Sequence, residues 1–174
     1  MPGDFKTPDI LGAMAITIVR LGSPRKPNEG LRLGTVRRPP RGVPKSDFAR
    51  RDYYDVWLPN LSPSRELVNE ALSAHDQKSW NRFARKFRGE MNQPDAGRLL
   101  DVLAALSHTA NFSLGCYCEN EDRCHRSILK DLLAARGAKF RSVRPGPIRS
   151  IQSSGVHSGP RFLGFKPSPS KSGT

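Results

Sequence analysis

The chain has 174 residues, 29 Lys and Arg against 16 Asp and Glu for a formal charge of +13, and only three cysteines. That length fits one domain with tails and excludes two folded domains of ordinary size. No run of about 18 or more apolar residues marks a membrane span, and the first residues lack the basic opening and cleavage site of a signal peptide, so a cytoplasmic protein with no membrane partner is expected.

The charge is uneven: six of the basic residues and none of the acids lie from Arg141 to Thr174. A strongly basic chain can bind nucleic acid by releasing counterions. A basic surface also serves simply to keep a protein soluble.

In chain order, residues 1–12 read as a flexible N-terminus, and AMAITIVRL (13–21) is β-branched and apolar, a buried strand. LRLGTV (31–36) is a second strand. RRPPRGVPKS then breaks regular structure, because Pro39, Pro40 and Pro44 lack amide donors. From Asp47 the periodicity turns helical, with Ser62 as an N-cap and Pro63 at the first helical position. Asp76 caps the next helix, whose Trp80, Phe83, Phe87 and Met91 form one apolar face, with Arg82, Arg85, Lys86 and Arg88 on the others. Pro94 opens a further helix through Leu106. FSLGCYC (112–118) is a strand, SILKDLLAARG a helix closed by Gly137, and KFRSV (139–143) a returning strand. Together the last three make a βαβ unit. The fold class is therefore α/β, a single domain over 13–144 with a mostly parallel sheet, flanking helices and that C-terminal βαβ unit. Residues 145–174 have the composition of a basic disordered tail.

GCYCENEDRCHRS (115–127) gathers every cysteine and a histidine at one strand-to-helix joint. Taking Asp122 as N-cap, Cys124 and His125 are the second and third helical residues, where free backbone amides lower a thiol's pKa and welcome an anion. Three chemistries fit. Cys116, Cys118, Cys124 and His125 form a Cys3His donor set for zinc, although adjacent helical side chains diverge by about 100 degrees. Cys124 beside His125 and Arg126 suits a reactive thiol, either a nucleophile or a redox centre with Cys118 as its partner. His125 with Glu121 or Glu119 suits acid/base work, with Arg126, Arg41 and Ser127 holding an anionic substrate. Small buried cysteines beside a solvated acidic turn are the ordinary alternative. No cofactor is expected, zinc being the one this donor set accepts.

The strings PPRGVPKSDFARRDYYDVWLPNLSPSRELV, HDQKSWNRFARKFRGEM and CYCENEDRCHRSIL, in that order, resemble the domain-of-unknown-function family 488, which includes the YeaO-like proteins. The resemblance spans about residues 15–140 and leaves both tails outside. It implies an α/β domain, intracellular and prokaryotic, with no assigned activity. Within the family a histidine stands where His125 stands. YeaO-like members commonly have asparagine at the position of Cys124, and aspartate and tryptophan where this chain has Val36 and Pro39, so the chain resembles the cysteine-bearing branch.

The expected function is a small enzyme with a Cys-His-Arg site, catalytic residues Cys124, His125 and Glu121, acting on an anionic substrate such as a nucleotide or nucleic acid. The alternatives are a non-catalytic nucleic-acid binder using its tail and Arg82, Arg85 and Lys86, and a thiol redox or metal-binding module. No oligomeric state follows from the sequence.

Overall fold

The structure, a computed structural model, describes residues 14–141; the expected flexible N-terminus and basic tail lie outside them. Four strands form one sheet in the order β1-β4-β2-β3, where β1 is Ile16–Arg20, β2 Leu31–Gly34, β3 Val56–Trp57 and β4 Phe112–Cys116. All three pairings are parallel, with Phe112 in register with both Ile16 and Leu31, and Leu33 with Val56. Central β4 is buried along its whole length, as its nearly unbroken small and apolar sequence FSLGC requires. The expected single α/β domain with a parallel sheet and flanking helices is therefore observed.

The helices are α1 Arg65–Leu72, α2 Gln77–Met91, α3 Pro94–Leu106 and α4 His125–Ala134. Asp76 caps α2 as expected, accepting the Ser79 amide at 2.7 Å. The aromatic stripe delivers Phe83, Phe87 and Met91 to the core, with Trp80 half-buried beside them. They meet Ile16, Leu33, Phe112 and Leu114 of the sheet and Ile128, Leu129 and Leu133 of α4. Each such fully buried side chain contributes roughly 1.5–3 kcal/mol, so this layer dominates stability. Gly137 ends α4 with φ +81°, and the Ala138 amide reaches back 3.0 Å to the Leu133 carbonyl, the bond of a Schellman cap.

The opposite face of the sheet is covered by loops. Strand alternation turns Arg32, Gly34, Ser113 and Gly115 that way. Arg32 is wholly buried there, its guanidinium forked onto the Glu29 carboxylate at 2.7 and 2.9 Å and its Nη1 on the Ser23 and Asp52 carbonyls. Tyr54 lies over Gly34, within a smaller cluster of Leu21, Val36, Cys116 and Cys124.

Three expectations are corrected. The stretch after Asp47 is not helical: 3-10 turns at Lys45–Asp47 and Pro59–Leu61 flank the two-residue strand β3, because Pro44 and Pro59 interrupt an α-helical ladder and Val56-Trp57 adds to the edge of β2. Trp57 Nε1 secures that edge by donating to the Val36 carbonyl at 2.7 Å. The cap of α1 is Ser64 rather than Ser62, whose hydroxyl is committed to the Pro59 carbonyl at 2.7 Å. The returning strand is a single parallel bridge, Phe140 to Ile16, within the described residues.

Candidate functional site

Parallel strands send their following loops to one edge of the sheet, and the loops after β2 and β4 leave side by side. After Cys116, the acidic turn is organised by Asn120, whose Oδ1 accepts the Asp122 amide at 2.9 Å and the Arg123 amide at 3.4 Å. The Cys124 amide then bonds the Glu121 carbonyl at 3.1 Å. Asp122 is therefore not the cap of α4. Cys124 holds that position in an extended conformation (φ −134°, ψ 147°), and His125 is the first helical residue. This change of backbone state between neighbours removes the divergence expected of adjacent helical side chains, and both turn into the same site.

Cys116 Sγ, Cys124 Sγ and a His125 ring nitrogen all lie within 4.8 Å of one another, and all three residues are buried. Exposed Cys118 lies outside that group of three but touches it through Cys116, the two sulfurs being 3.6 Å apart. This cluster can hold a metal ion. His125 Nε2 lies 2.7 Å from the Thr35 carbonyl and 3.2 Å from the Thr35 hydroxyl. A carbonyl can only accept, so Nε2 carries the proton and Nδ1, 3.7 Å from Cys124 Sγ, presents its lone pair to the sulfur. Phe87 of α2 closes the ring's other side edge-on, with centroids 5.7 Å apart.

Arg126 is buried, with 2% of its surface exposed. Its Nε donates to Cys124 Sγ at 3.3 Å, one terminal nitrogen to the Val19 carbonyl and the other to the Cys118 carbonyl at 2.7 Å. Among the described residues no carboxylate pairs with it. Hydrogen bonds from Cys116 and Cys118, with His125 alongside, hold the Cys124 thiol far below its ordinary value against the opposing effect of burial. The bond to Cys118, the bond to Cys124 and burial push Cys116 upward.

The other candidates are spread more widely. The Glu121 carboxylate is 3.7 Å from Lys130 Nζ, and that of Glu119 is 3.0 Å from Arg20; neither is directed at His125. The Ser127 hydroxyl donates to the Cys124 carbonyl at 2.9 Å, closing the first turn of α4. Arg41 is exposed and forms no hydrogen bond or ion pair among the described residues, while Arg37 is committed to the Ser62 and Pro63 carbonyls at 2.9 Å each. Their loop does approach the joint, since the Tyr117 hydroxyl reaches the Arg38 carbonyl at 3.4 Å. On α2, Arg82 and Lys86 line a shallow cleft of about 220 Å³ with Glu70, Ser73 and Ser79, and Arg85 is exposed. None of the described helices is long and apolar enough to cross a membrane.

Thr35 and Phe87 hold His125 yet had no sequence signal for that role: one is a threonine after a strand, the other a member of an apolar stripe. Asn120 was missed too, in favour of Asp122, although asparagine readily builds a turn from its own side chain and so carried a signal.

Fold and site together define a small parallel α/β protein with a sulfur, histidine and arginine cluster at the carboxyl edge of its sheet. The chain belongs to the DUF488 family: the model DUF488-N3a, described as the active DUF488-N3 subclade, matches residues 16–137. No curated protein and no solved structure matches it.

Proposed function

We propose that this protein is an enzyme acting on an anionic substrate, a nucleotide or nucleic acid, with Cys124, His125 and Arg126 as its reacting centre. The observation that carries this reading is the contact between Arg126 and Cys124. A buried guanidinium with no carboxylate partner among the described residues favours an anion, and the sulfur on its Nε is the group within reach. A sulfur held in this way donates its electrons to an electrophile, whether a substrate atom or a thiophilic cation such as zinc.

The anionic substrate class rests on the basic character of the chain and on the arginine-bearing loop, Arg37 to Arg41, that leaves the same sheet edge. The description of the matched subclade as active agrees with catalysis. The test is to offer the purified protein panels of nucleotides and of single- and double-stranded nucleic acid, following product by chromatography. Turnover by the wild type that disappears in Cys124→Ser and His125→Ala is expected. Turnover that survives Cys124→Ser overturns the assignment.

A further inference from the structure

Buried electron-pair donors face one another at the joint. The Nε2 proton of His125 is committed to the Thr35 carbonyl, so the Nδ1 lone pair points at Cys124 Sγ from 3.7 Å. That same sulfur accepts the Arg126 Nε–H at 3.3 Å. The pair meets in a buried site walled by Phe87, where a soft cation would be within reach of both the sulfur and the nitrogen. A divalent metal with three thiolates carries one net negative charge, which Arg126 cancels.

We propose that Cys116, Cys118, Cys124 and His125 Nδ1 bind one zinc ion. The proposal rests on the same reading of Cys124 as an electron-pair donor, but not on turnover. In the loaded centre the metal takes the Cys124 and His125 Nδ1 pairs that a direct attack on substrate would use. Tetrahedral zinc, with Zn–S near 2.3 Å and Zn–N near 2.0–2.1 Å, sets its sulfurs about 3.8 Å apart and sulfur from nitrogen about 3.6 Å apart. The Cys116 to Cys118 separation of 3.6 Å and the Cys124 to His125 separation of 3.7 Å are edges of that size. Three thiolates and an imidazole favour zinc over magnesium or calcium, which take oxygen donors. Around the ligands stand the partners such a centre uses: the Thr35 carbonyl fixes the histidine tautomer and Arg126 bonds the Cys124 sulfur. The three ligands that lie within 4.8 Å of one another are buried, and exposed Cys118, in contact with Cys116, is the fourth on the solvent side once a metal draws it in.

The test begins with the whole chain, purified without a metal-affinity tag and analysed by mass spectrometry for metals. About one zinc per chain is expected. The apo protein, made by chelation, should bind one equivalent of Co2+ with thiolate charge-transfer and tetrahedral ligand-field bands that zinc then abolishes. Its three cysteines should react with a thiol reagent and become protected on reloading. Cys124→Ser should lose the metal, and Cys118→Ser should hold it more weakly in a chelator competition. Near-zero zinc in the wild type, together with an apo form that shows no saturable Co2+ charge-transfer band, overturns the site. An unchanged affinity in Cys118→Ser removes that residue from the ligand set. A loaded centre with no turnover supports the metal site and counts against the enzymatic reading alone.

Discussion

His125 Nε2 stands 2.7 Å from the carbonyl oxygen of Thr35, so a backbone acceptor just past β2 fixes the tautomer of a histidine 90 residues further along the chain. The relationship follows from topology: β2 and β4 are parallel neighbours, and the start of α4 therefore falls against the end of β2. Long-range nitrogen NMR on labelled protein should find His125 protonated at Nε2, with Nδ1 unprotonated or shifted by a metal. A proton on Nδ1 in place of Nε2 would contradict the geometry, since the Thr35 carbonyl has none to give.

A second relationship supports the site from behind. A Cβ added at Gly34 would lie 2.4 Å from Tyr54 Cδ1 and 2.7 Å from Cγ. The ring cannot swing aside freely, because Phe48 packs on it edge-on with centroids 5.1 Å apart. Gly34→Ala should therefore destabilise the fold by about 1–3 kcal/mol, as overpacking does. Gly89→Ala on the exposed side of α2, where nothing lies within 4 Å, is the natural control and should be neutral or stabilising by up to about 1 kcal/mol. Urea unfolding of the two variants beside the wild type checks both signs.

The elements that periodicity marks strongly were legible before any coordinates. The stripe Trp80, Phe83, Phe87 and Met91 repeats at helical spacing, and Asp76 and Pro94 punctuate their helices, so both ends and faces followed. The stretch from Asp47 to Leu61 was misread because its apolar residues fit a helical period by chance, whereas the pairing that makes Val56 and Trp57 a strand comes from a distant partner, Leu33. At the site, the concentration of cysteines was visible but its geometry was not. Convergence depends on Cys124 being extended and His125 helical, a displacement of the cap by two residues from Asp122, in a turn organised by the side chain of Asn120. The partner of His125 is a main-chain carbonyl, which carries no residue signature at all.

Buried Glu29 links the polar layer behind the sheet to pH. Burial alone would raise its pKa. The Arg32 fork, the Lys26 amide and the Ser113 hydroxyl outweigh that and bring it down to about 2 from an ordinary 4.5. A carboxylate depressed in the folded state adds stability that is complete above its unfolded value and disappears as pH falls through the folded one. Stability should thus hold above about pH 4.5 and decline toward pH 2 as this pair is lost. Glu29→Gln should cost about 3–5 kcal/mol at neutral pH, because it leaves Arg32 buried without its anion. The same change should flatten the acid limb of a stability profile measured by urea unfolding. A limb as steep as that of the wild type would assign the acid sensitivity to other groups.

Arg126 joins three parts of the joint, bonding the carbonyls of Val19 and Cys118 and the sulfur of Cys124. A purely mechanical tether and a charge partner make different predictions for Arg126→Met, which keeps the apolar stem but removes the donors and the charge. Either role predicts some loss of stability, about 1–3 kcal/mol for each carbonyl left unbonded and buried. Only the charge partner predicts that metal affinity falls too, by roughly 10–100-fold as for other outer partners of a ligand. The two are separated by measuring thermal unfolding of the apo proteins alongside zinc competition with a chromophoric chelator. If Arg126→Met unfolds more readily yet holds zinc as tightly as the wild type, the guanidinium only ties the backbone together and the charge on Cys124 is balanced without it.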